Sequence, residues 1–131
     1  MKRLLPLLPL LALAGCAASG KPFSPVRDVR YSAIGADPFW MVAIGDDAIV
    51  LTRTGEGRRL ASIRYPRVLP RTEGEVKTWE SAGGTAVIAV QARPGPCTGP
   101  RGRRYEDAVR VRLSGVELHG CGGRLIEGRR G

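Results

Sequence analysis

Residues 108–121, AVRVRLSGVELHGC, decide the fold class. Val109, Val111 and Leu113 alternate with Arg110 and Arg112; Ser114-Gly115 follows; then Val116 and Leu118 alternate with Glu117 and His119. Alternation with a period of two marks a half-buried strand, and a two-residue turn between two such runs closes a hairpin. Closing it sets Leu113 against Val116 and Val111 against Leu118 on one face, and Arg112 against Glu117 and Arg110 against His119 on the other. A single register therefore yields an apolar face and a charge-complementary face.

The same period extends through the rest of the domain. Residues 39–44 and 48–54 form a second hairpin across Gly45-Asp46-Asp47, and residues 75–81 and 85–92 a third across Ala82-Gly83-Gly84. Residues 58–65 form another strand before Pro66 and Pro70 interrupt the chain, and residues 29–34 supply an opening strand. About eight short strands at regular spacing predict an all-β domain, a small antiparallel barrel or a sandwich. Composition agrees: 18 glycines and 10 prolines in 131 residues favour short strands and turns, while 43% hydrophobic residues suffice for a core. The length supports one domain and excludes a solenoid or a two-domain enzyme, and the hydropathy excludes a polytopic membrane protein.

The N-terminus reads as an address. Lys2 and Arg3 precede an apolar run over residues 4–14 that is too short to span a bilayer and has the layout of a secretory signal peptide. Leu13-Ala14-Gly15-Cys16 resembles the bacterial lipobox. That resemblance implies cleavage before Cys16, a diacylglycerol on its thiol and an acylated amino group, and so a membrane partner engaged through lipid on Cys16. Two or three acyl chains anchor stably, since each buried methylene contributes about 0.8 kcal/mol. Ala17 stands where an aspartate would resemble an inner-membrane retention signal, so the expected location is the outer membrane, facing the periplasm. The expected organisation is a signal peptide over residues 1–15, a lipidated N-terminus and tether over 16–28, a β domain over 29–122 and a basic tail over 123–131.

Of three cysteines, lipidation of Cys16 leaves Cys97 and Cys121, an even pair in an oxidising compartment. A bridge between them would contribute about 3–4 kcal/mol by the loop-entropy argument. Metal ligation by the pair lacks support, because His119 is the sole histidine and no Cys-x-x-Cys spacing occurs. No cofactor is expected. The chain carries a net charge of +9, and arginine outnumbers lysine 18 to 3. Arg101, Arg103 and Arg104 share one Gly/Pro-rich loop, and Arg124, Arg129 and Arg130 crowd the C-terminus. Such patches attract polyanions, and in an envelope these are lipid head groups and lipopolysaccharide phosphates rather than nucleic acid. Solvated charges with no dedicated partner are the plainer reading.

Tyr31-Ser32-Ala33-Ile34-Gly35-Ala36-Asp37-Pro38-Phe39-Trp40 resembles the Y-x-A-x-G-T-E-P-F-W opening of a family of bacterial envelope lipoproteins without an assigned activity. The far end is similar too, with a cysteine in a Gly-rich loop, a tyrosine shortly after it and Gly120-Cys121. Ala36 and Asp37 depart mildly from the family pattern. The loop after Cys97 departs more, since Thr98-Gly99-Pro100-Arg101-Gly102-Arg103 is basic where the family is acidic, so no ligand role of those acids carries over. From the residues themselves, Pro38 fixes a turn in which Asp37 can accept backbone N–H bonds. Phe39 and Trp40 point to opposite faces, one to the core and one to the rim.

Catalytic chemistry finds no constellation here. His119 lies alone on a strand's polar face, Asp46-Asp47 sits in a turn, and Glu106-Asp107 neighbours Arg103 and Arg104, which suggests charge compensation. The expected function is a non-catalytic binding or structural module for an anionic envelope component or envelope protein. Its candidate surface is Asp37, Phe39, Trp40, Arg101, Arg103 and Arg104. Inhibition of a cell-wall hydrolase is the alternative, to which a basic charge is poorly suited when the enzyme is also basic.

Overall fold

The computed structural model describes residues 25–126, and the expectations for the signal segment, Cys16, most of the tether and the last five residues lie outside them. Among the described residues nine strands form one antiparallel sheet: β1 (Tyr31–Gly35), β2 (Trp40–Ile44), β3 (Ala48–Thr54), β4 (Leu60–Pro66), β5 (Arg71–Glu73), β6 (Val76–Gly83), β7 (Ala86–Thr98), β8 (Arg104–Leu113) and β9 (Val116–Leu125). Their order is β4-β3-β2-β1-β9-β8-β7-β6-β5. The fold is the expected all-β architecture, and the sheet curls into a half-closed barrel.

Covalent geometry forces the curl. β4 and β5 are the two outermost strands, yet only residues 67–70 join them, a reach of at most about 18 Å. Because every pair is antiparallel, the first and ninth positions in the order run the same way, so β5 continues the direction of β4. The two behave as one strand broken by Pro66 and Pro70, pairing with β3 before the break and with β6 after it. At the break the Ser81 hydroxyl donates to the Pro66 carbonyl and ties β6 to β4. Proline removes a ladder donor, so a change of partner falls naturally there. Counted this way, nine strands reduce to the expected eight.

The hairpin over residues 108–121 adopts the expected register, with Leu113↔Val116, Arg112↔Glu117, Val111↔Leu118 and Arg110↔His119. Its ion pair is diagonal: Arg110 Nη1 lies 3.1 Å from Glu117 Oε2, while Arg110 Nη2 donates to Gln91 Oε1 at 2.8 Å. The second hairpin turns through Gly45-Asp46-Asp47 as expected. The third turns through Gly84-Thr85, because Gly83 already pairs with Ala86. β7 also outruns its expected end at residue 92. It passes Pro94 and Pro96 by a register shift between Pro94 and Cys97, which takes the prolines out of the ladder.

The concave side buries Trp40, Val42, Ile44, Ile49, Leu51, Trp79, Ile88, Val90, Val109, Val111 and Leu118. Trp40 fits because Gly120 leaves room: a Cβ there would stand 2.2 Å from the Ile34 carbonyl oxygen and 2.7 Å from the indole. The indole Nε1 donates to the His119 carbonyl at 3.2 Å. On the convex side Val26 packs against Ala43, Ala48 and Val50. Packing thus begins at Val26, inside the expected tether, and β9 carries the domain to Leu125, inside the expected tail.

Candidate binding surface

The Cys97–Cys121 disulfide, with Cα atoms 5.6 Å apart, organises the surface. Along β9, Leu118 is buried on the concave side, so Cys121 points to the convex side. It is nonetheless only 1% exposed, because the loop after β7 folds over it. Gly99 makes that approach possible: a Cβ there would meet the Tyr105 ring at 3.0 Å and Cys121 Sγ at 3.4 Å. The bridge links β7 to β9 across the intervening β8 and fastens residues 98–104 onto the convex face.

The loop is held by its own backbone. Gly99 N–H donates to the Arg103 carbonyl at 2.7 Å and Gly102 N–H to the Gly99 carbonyl at 3.1 Å. Arg101 sits at φ +64° within the short 3-10 turn Pro100–Gly102. A non-glycine residue held there costs about 1–2 kcal/mol.

Beneath this loop lies a cleft lined by Ile34, Phe39, Pro100, Arg101, Arg103 and Tyr105. Ile34 faces it because its neighbours Ala33 and Gly35 face the core, and Phe39 because the adjacent Trp40 does. Three residues of the expected surface, Phe39, Arg101 and Arg103, therefore meet. Arg104 is exposed at the start of β8, outside the cleft lining. Among the described residues, no carboxylate lies within ion-pair distance of Arg101, Arg103 or Arg104.

Two expected members of the surface behave differently. Trp40 cannot touch a ligand, since it is 1% exposed and is the core member of the Phe39-Trp40 pair. Asp37 is exposed at φ +62° in the β1–β2 turn, preceding a cis peptide bond to Pro38, and its side chain makes no hydrogen bond or ion pair among the described residues. The turn is shaped by backbone conformation rather than by the expected capping carboxylate.

The Asp46-Asp47 turn does more than reverse the chain. Asp46 accepts from the Arg30 guanidinium at 2.8 and 2.9 Å, and Asp47 accepts from the Arg27 N–H at 2.9 Å and from Arg64 at 3.2 Å. The Arg30 bond, and for Asp47 chiefly the Arg27 N–H, hold both carboxyls below their ordinary range. These contacts clamp residues 25–30 to the convex face. Glu106 pairs not with the expected Arg103 and Arg104 but with Arg124, whose Nε lies 3.7 Å from its Oε1 and whose backbone N–H donates to its Oε2 at 3.0 Å.

One polar contact was not foreseen. Tyr31 donates to Asp107 Oδ2 at 2.7 Å and stacks on Trp79 with ring centroids 4.8 Å apart. Burial first, and the Asp107 bond second, push the phenol well above its ordinary range. Ile34, Pro100 and Tyr105 were likewise absent from the expected surface. The tyrosine after Cys97 was visible in the sequence, but its proximity to β1 depends on β9 lying between them.

Among the described residues no group of three or more His, Cys, Asp and Glu side chains is placed to hold a metal, and no helix is long and apolar enough to cross a membrane. Comparison of the chain with family models, with curated proteins and with solved structures finds no match.

Proposed function

We propose that this chain is a lipid-anchored, non-catalytic binding module of a bacterial envelope, held at the outer membrane through Cys16 and facing the periplasm. The observation that carries the reading is the cleft itself, where arginines with no carboxylate partner among the described residues stand over an apolar and aromatic floor. Ligand sites combine an apolar lining with a few converging polar groups, and this cleft has both. Its ligand is an anionic envelope component. The lipobox-like Leu13-Ala14-Gly15-Cys16 and the resemblance of residues 31–40 to envelope lipoproteins support the location.

The test is mass spectrometry and chemical crosslinking of the full-length protein in its native membranes, beside a Phe39→Ala/Arg101→Ala variant. The reading expects an acylated Cys16 and an envelope component whose crosslink is at least tenfold weaker in the variant. An unmodified Cys16, or identical crosslinks in both proteins, overturns it.

A further inference from the structure

Resting on the envelope reading, we infer that the cleft takes the phosphate head group of an anionic lipid, with its acyl chain laid on Ile34 and Phe39. Residues 98–104 hold three arginines and no acid, so this stretch attracts anions without an internal competitor. Guanidinium groups present planar forks that match phosphate oxygens, and Arg101 and Arg103 line the same cleft. The disulfide and the loop's own hydrogen bonds fix the backbone that carries them, so little ordering remains on binding. Glycine would fit the Arg101 backbone at no conformational cost, so what the position gains is the arginine side chain.

The floor separates this ligand from a bare anion. Ile34, Phe39, Pro100 and Tyr105 offer hydrocarbon and ring faces, which a free phosphate has no means to use. A phosphate joined to a hydrocarbon chain uses both halves of the cleft. Eight residues separate Cys16 from Pro25, so an anchor on Cys16 keeps the start of the domain within about 32 Å of the lipid surface. At that distance the lipid is present at a high effective concentration, and a weak site is occupied.

The experiment places the mature protein, acylated on Cys16, in phosphatidylcholine nanodiscs and titrates three probes by calorimetry: dihexanoyl phosphatidic acid, dihexanoyl phosphatidylcholine and inorganic phosphate. Phosphatidic acid is expected to bind at least tenfold tighter than either other probe. An Arg101→Ala/Arg103→Ala variant in the same discs is expected to lose at least tenfold. An Arg101→Lys/Arg103→Lys variant is expected to fall between, because an ammonium lacks the fork. Unchanged melting and an intact disulfide, read on each variant, confirm that it is folded.

Inorganic phosphate binding as tightly as phosphatidic acid marks an anion site only and overturns the inference. Phosphatidylcholine binding as tightly marks an apolar patch only and overturns it too, as does an unaffected alanine variant. If phosphatidic acid fails while the Phe39-dependent crosslink leads to a protein, the inference falls and the envelope reading stands.

Discussion

Replacing Trp40 by alanine is expected to cost about 3–5 kcal/mol, the range for emptying a large aromatic from a packed core. Its indole is 1% exposed and its Nε1 is bonded to the His119 carbonyl, so the change removes packing and strands an acceptor. The neighbouring Phe39→Ala is expected to cost less than about 1.5 kcal/mol, since that ring is only half-buried on the convex face. Urea unfolding of the two variants checks the contrast, and equal losses would contradict this assignment of faces. That adjacent strand residues point apart was legible in the chain. Which of the two points inward was not, because the answer depends on Gly35 and Gly120 lying beneath the indole.

At the scale of elements, reducing the Cys97–Cys121 bridge is expected to lower stability by about 3–4 kcal/mol. Thermal or urea unfolding of Cys97→Ser/Cys121→Ser against the oxidised protein measures it. The double substitution is also expected to release residues 98–104 from the convex face, read as faster exchange of the Gly99 and Gly102 amides. The β2–β3 turn makes a pH-dependent clamp. The folded protein holds Asp46 and Asp47 below the ordinary value of 3.8, so it binds fewer protons there than the unfolded chain does. The clamp therefore contributes fully above the ordinary carboxylate range and is lost as pH falls through the lowered values. Protection of the Asp46 amide, which donates to the Arg27 carbonyl, is expected to drop in acid and to lose that dependence in Asp46→Asn/Asp47→Asn. The hairpin of β8 and β9 was readable because a two-residue turn sets its register locally. The extension of β7 to Thr98 was not, since prolines end strands by any local rule and here a bulge carries the strand past them.

For the whole molecule, the seam between β4 and β6 is where the curled sheet stays open. β4 is a terminal strand of the sheet and is tied to β6 near Pro66 and Ser81, and among the described residues the outer edge of Leu60–Ile63 has no ladder partner. Leu60 and Ile63 are 62% and 43% exposed. Local opening is favoured where buried apolar contacts are few. Amides of that edge are expected to exchange by local opening at least tenfold faster than those of β8, which has a partner on each side. Hydrogen exchange resolved by residue decides this, and equal protection would mean that the seam is closed in solution.

By itself the sequence determined the alternation, the register of the β8–β9 hairpin and the pairing of two cysteines. Each depends on neighbours along the chain, on a turn's geometry or on a count. The tertiary structure alone decided that Trp40 is core and Phe39 is surface, that β5 completes β4, and that Phe39 meets Arg101 and Arg103. Those facts join residues far apart in the chain through the curvature of one sheet. Curvature arises from the summed twist of all its strands and the short link across its seam, which no single segment encodes.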